Sequence, residues 1–71
     1  MIKYDRLWKT LKEKKVSQYK LINNHGIDKA QLHRLPKNKI VKTLIINKLC
    51  CILECQVEDI MEYVPDEEDL K

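Results

Sequence analysis

Apolar residues recur three and four positions apart through most of the chain, the spacing that places side chains on one face of an α-helix. The first such stripe consists of Leu7, Trp8 and Leu11. It predicts an amphipathic first helix that Asp5 caps and that ends at about Lys14.

The only glycine of the chain, Gly26, lies between a second and a third helical segment. Ser17 is placed to cap the second helix, and a glycine commonly ends a helix because it adopts a positive φ without a Cβ penalty. Asp28 is a strong N-cap for the third helix, and Gln31 follows it at the spacing of a capping box. Two helices joined by a short glycine turn indicate a helix-turn-helix.

The third helix is expected over residues 29–35. Leu32 and Leu35 are three positions apart and are expected to face the core. Ala30 or Gln31 is then expected to face outward, on the side of the helix that the core does not occupy.

The chain after the third helix contains a proline, a basic segment and two more helical patterns. Pro36 is expected to end the third helix or to kink its last turn, before a basic loop at Lys37-Asn38-Lys39. Thr43 is expected to cap a fourth helix. Its inward-facing residues, spaced i, i+3, i+4 and i+7, are Ile46, Leu49, Cys50 and Leu53. Residues 56–63 are expected to form a short fifth helix.

The composition agrees with one small all-α domain of five helices. The chain has 71 residues, 44% of them apolar, which is close to the smallest size that folds without a metal ion or disulfides. One glycine and two prolines supply little turn chemistry for a sheet with several hairpins. We expect a domain over residues 1–64 and an acidic, disordered tail over residues 65–71.

Charge is distributed unevenly along the chain. Residues 1–48 carry 13 Lys or Arg against 3 Asp or Glu, a net charge of +10. Residues 49–71 carry one Lys against 8 Asp or Glu, a net charge of −7. The basic part favours a polyanion such as DNA as the partner, although a solvated surface of mixed charge is the alternative explanation.

These features together resemble the lambda-repressor-like, Cro/XRE-type helix-turn-helix domain of small bacterial regulators. The resemblance covers roughly residues 4–63 and includes the supporting helix at residues 43–53. It rests on Gln18 at the start of the second helix, Gly26-Ile27 at the turn, and Leu32 and Leu35 in the third helix.

The resemblance implies that the third helix, residues 28–36, lies in the major groove of double-stranded DNA. The side chains expected to contact bases are those of Lys29, Ala30, Gln31 and Arg34. The residues expected to contact the DNA backbone are Gln18, Lys20, Lys37, Asn38 and Lys39. Gln31 has a second possible role, since it could complete the capping box with Asp28.

Other chemistry is not expected. Cys50 is expected to be a small core residue, and neither the cysteines nor His25 and His33 have the spacing of a metal site. His33 is expected beside the DNA-facing side, where it contacts a phosphate or is simply exposed. No catalytic set, cofactor motif or small-molecule substrate site is evident, so an enzyme is not expected. The polar N-terminus and the short apolar runs predict a cytoplasmic protein without a membrane partner.

The sequence therefore predicts a DNA-binding transcriptional regulator, in particular a repressor, that acts as a homodimer. The alternative is a protein-interaction or antitoxin-like module on the same scaffold. An expected exposed apolar patch of Ile45, Cys51 and Ile52 on the fourth helix would suit either a dimer or a protein partner.

Overall fold

Four α-helices form half of residues 1–66, the part of the chain that this computed structural model describes. The helices are α1 (Asp5–Lys14), α2 (Gln18–Asn23), α3 (Lys29–Arg34) and α4 (Thr43–Leu53). Two single 3₁₀ turns follow α3 and α4, at Leu35–Lys37 and Val57–Asp59. Two short strands, β1 (Ile2–Lys3) and β2 (Glu62–Tyr63), pair with each other.

The helices surround one apolar core to which every helix contributes. Its fully buried side chains are Leu7, Leu21, Leu32, Leu35, Leu49 and Ile60. The three leucines of α2, α3 and the turn after α3 bury their side chains together with those of α1 and α4. Burial of that kind contributes roughly 1.5–3 kcal/mol per large side chain, so the core holds the orientation of α2 and α3.

The starts of α1 and α4 differ from the predicted caps. Asp5 and Thr43 are the first helical residues, and the N-cap residues are Tyr4 and Lys42, neither of which caps through its side chain. Asp5 still stabilises α1, because a carboxylate in the first turn of a helix interacts favourably with the helix dipole.

The predicted fifth helix is wrong. Val57–Asp59 makes one 3₁₀ turn, and the chain then extends into β2. α1 binds the carbonyl groups of this turn from the side: the Thr10 hydroxyl donates to the Asp59 carbonyl at 2.7 Å, and the Arg6 guanidinium donates to the Glu58 carbonyl at 3.0 Å. These bonds hold the turn against α1, and the chain beyond it pairs with β1 instead of continuing as a helix.

The two strands join the beginning of the chain to residues 62–64. Ile2 lies opposite Tyr63 in an antiparallel register. Next to this pair, the Met1 ammonium group donates to the Val64 carbonyl at 2.8 Å, and the Val64 N–H donates to the Met1 carbonyl at 2.8 Å. This pairing was not predicted, since each strand has only two residues.

The expected apolar patch on α4 is also wrong. Ile45 is buried and Ile52 is half-buried against the core, so only Cys51 of the three is exposed. α4 buries Ile45 as well as Ile46, and its core-facing side is therefore wider than a single i, i+3, i+4 stripe.

Residues 67–71 of the expected acidic tail lie outside the described residues. Within residues 1–66, no helix is both long enough and apolar enough to span a membrane.

Candidate nucleic-acid interface

The turn between α2 and α3 is built around Gly26. Its φ is +69°, and a Cβ added there would meet no atom within 4 Å, so the backbone conformation alone favours glycine. The next amide, that of Ile27, donates to the Leu21 carbonyl at 3.0 Å and so closes the end of α2. Asp28 then caps α3, and its carboxylate accepts from the Ala30 N–H at 2.8 Å. The predicted N-cap is confirmed, and the start of α3 is well defined.

The N-terminus of α2 is capped as predicted by Ser17, whose hydroxyl accepts from the Lys20 N–H at 3.1 Å. Gln18 and Lys20 are both exposed. Their side chains are therefore available to a ligand that approaches this end of α2.

The outer side of α3 is defined by what its inner side buries. Leu32 and Leu35 are fully buried, as the sequence predicts. The exposed residues of the helix are Lys29, Ala30, His33 and Arg34. Lys29 and Arg34 supply basic side chains, and the methyl group of Ala30 is small enough to allow close approach of another surface.

Gln31 lies elsewhere than the sequence suggests. Only 8% of it is exposed, and its carboxamide oxygen accepts from the Lys42 N–H at 3.1 Å. The side chain therefore bonds to the segment before α4, whereas an outward position and a capping box with Asp28 were expected. The Asp28 cap is made through its own carboxylate and does not use Gln31.

Arg34 is exposed and also touches the segment before α4. Its guanidinium donates to the Ile40 carbonyl at 3.4 Å, a long bond that uses one of its five N–H donors. Within residues 1–66 its other donors have no hydrogen-bond partner, so they can form a bidentate contact to another group. The Lys39 N–H donates to the Arg34 carbonyl at 3.1 Å. One backbone hydrogen bond and one side-chain hydrogen bond therefore connect Arg34 to this segment.

The basic loop that the sequence places after Pro36 is partly structural. Lys37 ends the 3₁₀ turn, and both Lys37 and Lys39 are exposed. Asn38 is half-buried with φ 53°, and its side-chain oxygen accepts from the Tyr4 N–H at 3.1 Å. Asparagine tolerates this left-handed conformation better than most residues, and here it joins the loop to the start of α1.

His33 is the residue of this surface to which the sequence assigns no definite role. It is exposed on α3, four positions after Lys29 and four before Lys37. The i, i+4 spacing of Lys29 and His33 itself contained the signal, because it places both residues on one side of α3.

The cysteines lie away from this surface, on α4 and just after it, and no disulfide joins them. Burial raises the pKa of the Cys50 and Cys55 thiols, an effect that a hydrogen bond from Cys55 partly offsets for Cys50. Both line an apolar groove of about 380 Å³ between α4 and the second 3₁₀ turn. Among residues 1–66, no group of three His, Cys, Asp or Glu side chains is placed to hold a metal ion.

The exposed basic residues and the capped α2–turn–α3 unit form a surface suited to a polyanion. The basic side chains on α3 and on the turn after it can approach phosphates. The small side chain of Ala30 allows α3 to come close to the floor of a nucleic-acid groove.

Comparison with known proteins agrees with this geometry. The family model of the Cro/C1-type helix-turn-helix DNA-binding domain matches residues 6–66. Among solved structures, the chain is similar to the crystal structure of the transcriptional regulator VanUg, with a TM-score of 0.81 and 29% sequence identity over 92% of this chain and 87% of that chain. A search of curated protein sequences found no match.

Proposed function

The chain belongs to the family of Cro/C1-type helix-turn-helix DNA-binding domains, and from this membership we propose that it regulates transcription by binding a specific DNA sequence. The observation that carries the proposal is the α2–turn–α3 unit, in which Ser17 and Asp28 cap both helices and the outer side of α3 is exposed. A helix presented in this way fits the major groove of B-DNA.

In this proposal, α3 supplies the contacts that distinguish bases. Arg34 can bond to the two acceptors of a guanine, Lys29 can reach guanine acceptors, and the Ala30 methyl group can contact the methyl group of a thymine. The exposure of His33 supports adding it to this set. Gln31 does not remain in the set, because its carboxamide oxygen is already bonded to the Lys42 N–H and most of the side chain is buried.

The contacts to the DNA backbone come from the edges of the same surface. Gln18 and Lys20 lie at the start of α2, and Lys37 and Lys39 lie after α3, all of them exposed. Phosphate contacts of this kind hold the protein in register on the duplex and carry no base preference. Asn38 takes a supporting role, because its side chain orders the loop between the two lysines.

We further propose that two copies bind a pseudo-palindromic site and act as a repressor in the cytoplasm. One short helix contacts only a few base pairs, so useful specificity needs two half-sites separated by one helical turn of about 34 Å. In this proposal a pair bound at a promoter blocks transcription by excluding the polymerase. The alternative of a protein-interaction module loses the part of its argument that rested on the α4 patch, since Ile45 is buried.

The test is an in vitro selection of duplex oligonucleotides, followed by binding titrations at several salt concentrations. We expect an enriched motif with two-fold symmetry and an affinity that falls steeply as salt is raised, because cations on the protein displace counterions from DNA. No enrichment together with salt-independent binding to random duplex would overturn the proposal.

A further inference from the structure

The ribbon formed by β1 and β2 presents apolar side chains to solvent. Ile2 lies directly opposite Tyr63, and the two are 39% and 57% exposed. Since the neighbouring pair, Met1 and Val64, exchanges two hydrogen bonds, Ile2 and Tyr63 form the pair without hydrogen bonds. Side chains of such a pair lie close together on one face of the ribbon.

The other face of the ribbon is charged and half-buried. Lys3 lies opposite Glu62, and the Glu62 carboxylate is 2.6 Å from the Nε atom of Arg6 on α1. A ribbon at a protein surface usually buries its apolar face and exposes its polar face. Here the apolar Ile2–Tyr63 face is exposed and the Lys3–Glu62 face is half-buried. An exposed apolar face of this kind is available to a binding partner.

The apolar surface continues from the ribbon onto the segment before α4. A groove of about 300 Å³ separates β1 from this segment, and Ile2 and Ile40 both line it. Ile40 is 87% exposed, the highest value among the large apolar residues of the described chain. We call Ile2, Ile40 and Tyr63 the ribbon patch.

We propose that the ribbon patch is the surface through which two copies of this chain contact each other when they occupy adjacent DNA half-sites. The inference rests on the proposed function, because it takes the second copy to be brought there by DNA.

A second copy fits the patch because the patch is uncharged and can face itself. Two-fold symmetry places the same residues on both sides of an interface, so a charged patch would repel its own copy. Lys3 and Glu62 lie on the opposite face of the ribbon, so Ile2, Ile40 and Tyr63 themselves carry no charge, and Lys39 is the charged residue that lines the groove beside them.

The position of the patch also favours a partner on the same DNA. Ile40 follows Lys39, a proposed phosphate contact, and the Ile40 carbonyl accepts from Arg34 of α3. The patch therefore adjoins residues that are proposed to contact DNA, and in this proposal the copy on the neighbouring half-site approaches from that side.

The size of the patch determines when the contact forms. Three partly exposed side chains cover much less than the ~800 Å² per partner that a stable interface buries. The patch is therefore too small to hold a dimer in free solution at ordinary concentrations. On DNA the second copy is already nearby, so a weak contact is enough to give cooperative binding.

The test compares the full-length protein on DNA that contains one or two half-sites of the selected motif. We expect a monomer by light scattering without DNA, independent binding to one half-site, and at least ~10-fold cooperativity on two. Tyr63→Ser and Ile2→Ser should each remove most of that cooperativity and leave the affinity for one half-site unchanged. Val57→Ser is the matched control, because Val57 is 47% exposed but lies outside the patch.

A crosslinking experiment tests the same contact without relying on loss of function. With the exposed Cys51 removed by Cys51→Ser, Tyr63→Cys should form an intermolecular disulfide under a copper–phenanthroline oxidant only when two-half-site DNA is present. Val57→Cys in the same background should not crosslink.

The outcomes separate the two proposals. If the wild-type protein binds no selected DNA, the proposed function fails. If it binds one half-site but the Ser variants keep full cooperativity, or Tyr63→Cys does not crosslink, the ribbon patch is wrong and the proposed function stands. A stable dimer in the absence of DNA would likewise contradict a contact that forms only on DNA.

Discussion

The carboxamide oxygen of Gln31 in α3 accepts a hydrogen bond of 3.1 Å from the backbone N–H of Lys42, the residue that caps α4. This bond joins the proposed recognition helix to the start of the supporting helix. An amide at the beginning of a helix has no partner within that helix, so Gln31 satisfies a group that would otherwise need water. The bond gives Gln31 a role in positioning the segment before α4, which includes Lys39 and Ile40.

We expect Gln31→Ala to lower the free energy of unfolding by about 1–3 kcal/mol, because it leaves a partly buried N–H without its acceptor. Base preference in the selected motif should not change. Urea denaturation measures the first effect and a repeated selection measures the second. Gln18→Ala is the control, since Gln18 is exposed and its loss should change stability by less than about 0.5 kcal/mol. Unchanged stability together with a relaxed preference at one base pair would instead make Gln31 a base contact.

Arg34→Ala should weaken binding to the selected sequence by about 1–3 kcal/mol and relax the preference at one base pair. The physical reason is that a bidentate guanidinium contact to guanine distinguishes it from the other bases. Titrations against a panel of singly substituted operators measure the effect. Equal weakening on every sequence, including random duplex, would show that Arg34 contacts only the backbone.

Lys37→Ala is the matched comparison for Arg34, because both residues are exposed cations at the end of α3. We expect it to weaken binding to all sequences alike and to reduce the salt dependence by about one counterion. The measurement is the slope of the logarithm of affinity against the logarithm of salt concentration. A change of base preference with an unaltered slope is the result that this assignment does not allow.

Gly26→Ala should destabilise the fold by roughly 1–2 kcal/mol through the backbone alone, because φ is +69° and an added Cβ meets no atom within 4 Å. Gly26→Asn should cost less, since asparagine adopts the left-handed conformation more readily. Thermal unfolding followed by circular dichroism ranks the two variants. Equal losses would indicate a cost other than the backbone conformation.

The three cysteines should differ in their reaction with a thiol reagent at pH 8. Cys51 is exposed and should react first, whereas burial raises the pKa of Cys50 and Cys55 and keeps their reactive thiolate scarce. A pKa that is raised in the folded state also means that the folded chain holds these protons more tightly than the unfolded chain does. Their contribution to stability should therefore be complete below pH 9.0, the ordinary pKa, and decline above it. Labelling followed by mass spectrometry of peptides identifies the order, and simultaneous reaction of all three would contradict it.

Local signals predict a large part of the fold. The ends of α1 and α2, the caps at Ser17 and Asp28, and the glycine turn between α2 and α3 depend on residues within one or two helical turns of each other. Such interactions can be predicted from the local sequence, because capping and a positive φ depend on the residue type and on short spacings along the chain. The same signals place Leu32 and Leu35 in the core and leave Lys29, Ala30 and Arg34 exposed.

The sequence by itself therefore determined the helix-turn-helix and most of its outer surface, while only the tertiary structure decided which distant groups meet. The Gln31 carboxamide oxygen accepts from the backbone N–H of Lys42, eleven residues away, an amide that has no acceptor within α4. Glu62 and Tyr63 form a strand rather than part of a helix, because they pair with β1 and the turn before them is held against α1. These outcomes rest on hydrogen bonds across large sequence separations, which residue spacing along the chain does not encode.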